Sequence, residues 1–272
     1  MKKCYHPALG AIALLFTMLL SNCVKPPIII PGQKHYQVAQ LMGEIPFRGP
    51  DTIRVSYNSK HYPIQIAGQH ISTGYPQYLF GYDDQYRLRI LIGAYYDGNP
   101  AYELAHKYLC DQKKRVISDS TFEFGHYDRN TLTLIDFHLL LSVKKYVYDN
   151  QDRITQVTEE RFPGTSYTEM RTTTFFYNSS GNAYKINSVI KYSDNSISSS
   201  DAFPVYDNKV NPHQLHPVWQ LIDIDYSRNN AFMADSYNNY GLPVHISTGA
   251  KLSEIMFLLN SFSSLEIAYE YK

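Results

Sequence analysis

Two imidazoles stand three residues apart in NPHQLHPVW, at His213 and His216, and two carboxylates stand two apart in LIDIDYSRNN, at Asp223 and Asp225. Residues three apart share one side of a helical turn, so the histidines could share a metal ion. Pro212 and Pro217 argue against a regular helix, and no third ligand lies nearby; polar capping of a loop is the expected role. On a strand Asp223 and Asp225 point to the same face, an arrangement that suits acid–base work or a Ca²⁺ ion. A solvent-facing edge beside a buried face is the simpler expectation. The word HISTG occurs twice, at residues 70–74 and 245–249. A serine near a histidine suggests a nucleophile, yet along an extended strand His245 and Ser247 are only same-face neighbours, and two strand ends running into glycine turns are expected. The chain contains no GxSxG, HExxH, GxxxxGK[ST] or dinucleotide-binding fingerprint. No catalytic residue, no metal and no cofactor is therefore expected, and an enzyme is the least favoured reading.

Tyrosine is the residue type in excess, with 25 in 272 residues. Flat rings beside Asn, Gln and Asp make a surface on which sugar faces stack and hydroxyls bond, which makes Tyr82, Tyr148, Tyr177 and Tyr237 the candidate ligand-binding residues. The alternative is cross-strand aromatic pairing that stabilises a sheet. The words DTI at Asp51 and DST at Asp119 have the form of an O-glycan acceptor.

The elements that must hold these residues are written in a repeated phrase. FGYDDQYRLRIL, YLCDQKKRVIS, YVYDNQDRITQV, FFYNSSGNAYKI and DSYNNYGLPVHI align on Tyr82, Cys110, Tyr148, Tyr177 and Tyr237, and PVYDNKVNP at Tyr206 is a degenerate copy. Steps of 28, 38, 29, 29 and 31 residues between successive anchors define a period near thirty with one ten-residue insertion. Each anchor ends an outgoing strand. The following Asp or Asn can bond its own backbone two residues on, Gly181 and Gly241 offer a cheap positive φ, and a return strand follows. Leu88 with Leu91, and Ile154 with Val157, are three apart, which breaks strict alternation and predicts a bulge or twisted strand end. Residues 34–77 carry no copy but contain strand-like DTIRVSYN and YPIQIAG. NPHQLHPVWQLIDID and GAKLSEIMFLLNSF have apolar spacing closer to helical, so each is expected to cover a sheet face. The expected fold is all-β: an antiparallel meander of repeated β-hairpins forming one twisted, curled sheet, with one or two short helices on a face.

The phrase resembles the YD repeats of Rhs-type and wall-associated bacterial proteins. It is more similar to a group of Bacteroidota lipoproteins of unknown function with a few degenerate copies, which share YDNKxNP, SxNN, YNxxGLP and a final strand like YEYK. These words stand here at residues 206–212, 227–230, 237–243 and 269–272. The resemblance covers about residue 78 to 272 and implies the fold; the family has no established activity to carry over.

The address is written at the other end. Lys2 and Lys3 precede an apolar run over residues 8–20, too short for a bilayer span and suited to a signal peptide. The ending LSNC resembles a lipobox, which implies cleavage before Cys23 and lipid on its sulfur; ordinary secretion is the alternative. The expected organisation is a signal peptide over 1–22, the lipid-bearing cysteine and a Pro-rich tether over 23–33, and a single β-rich domain over 34–272. Cys110 is then the one free thiol. Removing residues 1–22 leaves 25 − 2 = 23 basic against 25 acidic side chains, a balance that gives nucleic acid no electrostatic footing. The expectation is a lipoprotein of the cell envelope, at the outer membrane and on either of its faces, acting as a binding or structural module for a protein partner. A glycan binder using a Tyr-rich face and a lipid carrier in a curled roll are the alternatives.

Overall fold

The computed structural model describes residues 36–45, 49–95, 100–162, 169–247 and 264–272; the signal segment, Cys23, the tether and the apolar run at 249–262 lie outside them. Among the described residues fifteen strands form one antiparallel sheet: β1 (Tyr36–Ile45), β2 (Gly49–Tyr57), β3 (Pro63–Ala67), β4 (Gln77–Tyr82), β5 (Leu88–Ala94), β6 (Ala101–Cys110), β7 (Val116–Asp128), β8 (Thr133–Tyr148), β9 (Ile154–Arg161), β10 (Glu169–Tyr177), β11 (Ala183–Tyr192), β12 (Ile197–Ala202), β13 (Ser236–Tyr237), β14 (Pro243–Ser247) and β15 (Ser264–Tyr271). Sequential neighbours pair from β12 back to β1, and the order then continues β15, β14, β13. A 3₁₀ turn (Pro212–Leu215) and a short helix α1 (Pro217–Ile222) interrupt the strands, where the spacing of NPHQLHPVWQLIDID places them.

The repeated phrase closes each turn by the same bonds. After Tyr148, Asp149 Oδ1 accepts from the backbone N–H of Gln151 (2.9 Å) and of Arg153 (3.0 Å), while Arg153 Nη2 donates to Asp149 Oδ2 at 2.6 Å. Asp83 with Arg87 and Asp111 with Arg115 repeat this clasp. Asn178 and Asn238 keep the backbone half of it, with Gly181 and Gly241 at φ +87° and +76°. The same geometry recurs at Asn58, which accepts from the backbone N–H of Lys60 and Tyr62 with His61 at φ +62°. Residues 34–77 therefore do carry a copy, anchored on Tyr57, which corrects the sequence reading. YNSKHYPIQI has no Asp-to-Arg clasp to advertise it, and its anchor lies only 25 residues before Tyr82.

Each return strand that follows one of these clasped turns begins with a bulge. Tyr148 faces Ile154 while Val147 faces Gln156, leaving Thr155 as the extra residue; Ile64, Arg89, Ile117, Tyr184 and Val244 are extra in the same way. One inserted residue moves the core face along by one, which is why Leu88 and Leu91, three apart, are both buried in the same cluster.

The anchors form a ladder from unit to unit. Tyr82 donates its hydroxyl to Pro63 O (2.8 Å), Tyr148 to Val116 O (2.7 Å), Tyr177 to Ile154 O (2.9 Å) and Tyr206 to Ala183 O (2.9 Å), and Tyr269 of the final strand, though no anchor, makes the same bond to Pro243 O (2.8 Å). Each acceptor is the first residue of a preceding return strand. Cys110 occupies the same rung, its Sγ 3.6 Å from Leu88 O. The clasp arginines cover the next anchors, Arg115 at 4.7 Å from the Tyr148 ring centroid and Arg153 at 4.1 Å from that of Tyr177. Tyr148→Phe keeps the ring but strands the Val116 carbonyl; it is expected to lower stability by about 1–2 kcal/mol, read as a lower urea midpoint with an unchanged m-value.

Laid flat, the twelve strand spacings from β11 to β14 would cover roughly 60 Å. Yet one short segment touches the turns at both places: Arg228 N donates to Gly181 O (3.3 Å), Val210 N to Gly241 O (3.0 Å), and Asn211 N to Arg228 O (3.1 Å). The sheet is consequently rolled almost upon itself, and residues 205–235 form a strap across the gap. Leu215, Val218, Trp219 and Leu221 of the strap fill the inside of the roll against Val38, Leu41, Ile66, Phe80, Leu91, Leu242 and Ile246. Trp219 is completely buried, its ring edge-on to Phe80 with centroids 5.9 Å apart.

The ten-residue insertion lengthens β7 and β8. Phe124 at φ +47° and two register shifts bend this hairpin, and Leu132 near its tip packs above Gly81 on the outer face. A second apolar cluster of Ile90, Ile92, Ala94, Tyr102, Ala105 and Tyr127 lies beneath it.

Candidate functional site

The strap brings together the histidine and carboxylates that stood ten and twelve residues apart. His213 is held from both ring nitrogens, Nδ1 at 2.8 Å from Asn211 Oδ1 and Nε2 at 2.6 Å from Asp223 Oδ2, with Asp225 Oδ2 3.4 Å from Nδ1. Asn211 in turn donates to Asp225 Oδ2 (2.6 Å) and to Ser227 O (3.0 Å). Burial acts to lower the His213 pKa, but the hydrogen bonds and charges of Asp223 and Asp225 outweigh it and raise it to about 10. Burial likewise pushes Asp225 upward, and His213 and Asn211 more than reverse it, leaving its carboxyl below the usual range.

This overturns the expected solvent-facing strand. Asp223 caps the C-terminus of α1 with its side chain 1% exposed. Ile224 adopts φ +51°, and the bonds Ile224 N to Leu221 O and Asp225 N to Gln220 O form a Schellman closure with isoleucine where glycine is usual. That reversal turns Asp225 back toward His213. His216 is separated from His213 and caps α1, its Nδ1 accepting from Val218 N at 3.2 Å, which is the loop-capping role expected for it. Among the described residues no group of three or more His, Cys, Asp or Glu side chains could hold a metal ion.

At residues 70–74, Ser72 and Tyr75 exchange backbone bonds around Thr73 and Gly74, a two-residue glycine turn. In the second HISTG word, Asp235 lies between the other two: His245 Nδ1 is 2.8 Å from Asp235 Oδ2, and Ser247 Oγ donates to Asp235 Oδ1 at 3.1 Å. The carboxylate rather than the imidazole receives the serine proton, the reverse of the order a nucleophile needs. Thr248 and Gly249 lie outside the described residues.

Of the candidate tyrosines, Tyr82, Tyr148 and Tyr177 direct their hydroxyls along the ladder, and Tyr237 donates to Asp207 Oδ2 at 2.7 Å. Asp51 and Asp119 of the two glycan-acceptor words are buried. Asp119 belongs to a polar cluster that the sequence reading passed over: His106 Nδ1 lies 3.1 Å from both its oxygens and 3.2 Å from Thr121 Oγ1, and Tyr146 donates to it at 3.4 Å. The signal was present as i, i+2 polar pairs, His106 with Tyr108 and Asp119 with Thr121, which alternation places on the inner face.

The repeat also builds an outer surface. The residue before each anchor and the bulged residue after it both point away from the core, which exposes Leu109, Ile117, Val147, Phe176 and Tyr184 on consecutive hairpins of β6–β11. Leu109 is 60% and Val147 52% exposed, so the stripe is open to solvent. A shallow cleft of about 510 Å³ lies beside it, between the β7–β8 tip and the β4–β5 turn, lined by Ile64, Tyr82, Asp84, Tyr86, Arg89 and Thr131. Tyr86 stacks on Tyr62 there, with centroids 5.1 Å apart.

No protein-family model and no curated protein matches this sequence. Among solved structures, a porin-like protein from Bacteroides vulgatus ATCC 8482 aligns over 86% of this chain and 98% of its own at 9% identity, with a TM-score of 0.50. The TcdB2-TccC3-Cdc42 structure aligns over 74% of this chain and 11% of its own at 12% identity and a TM-score of 0.24, a value that carries no argument. What the chain shares with the porin-like protein is the fold alone: a long rolled sheet.

Proposed function

We propose that the protein is a lipid-anchored, non-catalytic module of the cell envelope, a member of the degenerate YD-repeat lipoproteins, and that it holds a protein partner on its outer face. The carrying observation is the apolar stripe from Leu109 to Tyr184. It is produced by the repeat itself, it is unneeded by the core, and it recurs at the same place on three neighbouring hairpins, which supports an interaction surface. The chemistry-capable groups support the same reading, because His213, His245, Asp223, Asp225 and the anchor hydroxyls are all engaged in structural bonds. The inside of the roll, where an acyl chain would lie, is filled beside Trp219.

In vivo cross-linking with the tagged chain is the test. Leu109→Lys with Val147→Lys leaves the core untouched and is expected to shift stability by no more than about 0.5 kcal/mol per site, while reducing capture of the partner at least tenfold. Met233→Lys, exposed on the strap, serves as the control. Equal capture by both variants would remove the stripe from consideration. The lipid anchor is tested separately by Cys23→Ser, which should release the chain from the membrane fraction.

The stacked Tyr62–Tyr86 pair favours a second reading, a glycan held in the adjoining cleft. A thermal-shift screen against polysaccharides checks it. Binding at a hundredfold excess over Kd would add about 2.7 kcal/mol and lose that gain in Tyr86→Ala.

A further inference from the structure

Among the described residues β12 is one end of the sheet, bonded to β11 on one side only, and all six of its residues are exposed. We propose that this edge pairs antiparallel with the β12 edge of a second copy of the chain, making a two-fold dimer whose two rolls share one continuous sheet. Natural sheets guard such an edge with charge, proline or a bulge. Here the β11–β12 register is unbroken from Ile186↔Ala202 to Lys191↔Ile197, and Pro204 comes only after the strand has ended. The single charge on the strand, Asp201, is turned back onto its own sheet, 3.0 Å from Lys185 Nζ and 2.8 Å from Asn187 Nδ2, so it does not act as a guard.

The sequence ISSSDA is also compatible with itself. With the axis through Ser199, whose backbone N–H and C=O face the free edge as those of Ile197 and Asp201 do, Ile197 faces Asp201, Ser198 faces Ser200 and Ser199 faces its own counterpart in the second copy, and no like charges meet. Ile197 and Val205 flank the edge at 68% and 83% exposure, so pairing would also remove apolar surface from water. The opposite end of the sheet offers nothing comparable, since β13 has only two residues. One usable edge per chain gives a closed pair and not a filament.

Sedimentation equilibrium of the full chain carrying Cys23→Ser is expected to give twice the monomer mass at micromolar concentration. Adding Ser199→Lys and Ser200→Lys together opposes the lysine at position 199 to its own counterpart across the axis, and is expected to weaken association at least tenfold with an unchanged far-UV spectrum. A charge swap guards against a trivial loss of fold: a Ser199→Lys chain mixed with a Ser199→Asp chain should form the mixed dimer in preference to either homodimer. A wild-type chain that stays monomeric at 100 times that concentration, or a double-lysine variant that dimerises as well as wild type, overturns the proposal.

Discussion

Replacing His213 with alanine is expected to cost about 3 kcal/mol, because it leaves the buried carboxylate of Asp223, with the partly exposed Asp225 on the other side of the ring, without its cation. The comparison with pH separates this from a simple packing loss. The folded pKa of His213, about 10, lies above its ordinary 6.5, so its stabilisation is complete below pH 6.5 and disappears as pH rises toward 10. Burial, reinforced by Lys272, pushes His216 the other way, to about 4, so its contribution is present above pH 6.5 and is lost as pH falls toward 4. Asp225 adds to the acid-side loss below its ordinary value of 3.8. The urea midpoint of the wild type should therefore peak near pH 6–7 and decline on both sides, whereas His213→Ala should be lower throughout and lack the alkaline decline. An alkaline limb of the same slope in the variant would show that the triad does not fasten the strap.

The second large effect belongs to Trp219. Trp219→Ala removes the largest side chain inside the roll and is expected to cost about 3–5 kcal/mol, since the surrounding strands cannot collapse into the vacated space. As the chain's one tryptophan, it also reports on its own environment. Wild-type emission should be blue-shifted and move to the red in His213→Ala if that change frees the strap before the sheet unfolds. Simultaneous change of tryptophan emission and far-UV signal would instead place strap and sheet in one cooperative unit.

The difference between these two predictions and the ladder shows what can be read from such a chain. Turns are local, so Asp149, Asn178 and Asn238 announced themselves, and the three-residue spacing of Leu88 and Leu91 announced the bulge. The copy at Tyr57 escaped because its turn uses Asn58 without a clasp arginine and His61, not glycine, at positive φ. The helical spacing around Trp219 was legible too. Closure of the roll was not, since it depends on bonds from Arg228 to Gly181 and from Val210 to Gly241 between segments with no shared pattern. The convergence of Asp223 and Asp225 on His213 was hidden for a related reason: it hangs on Ile224 adopting a conformation that its β-branched side chain disfavours. Cys110, aligned with the tyrosine anchors from the sequence, does occupy their rung, with its Sγ near Leu88 O.

The position of β1 gives the molecule a history as well as a shape. From β2 to β12 each strand pairs with its sequence neighbour, so a growing chain can zip these hairpins in order through short loops. β1 has β2 on one side, but its other partner is β15, and the bond from Gln37 to Glu270 joins residues 233 apart. Until that strand arrives, the earliest strand of the sheet keeps a bare edge while most of the core is already assembled. The late event expected of such a topology is a meeting of remote segments, limited by loop-closure entropy rather than by local turn formation, and the interval before it is when the chain should be most open to pairing with the wrong neighbour.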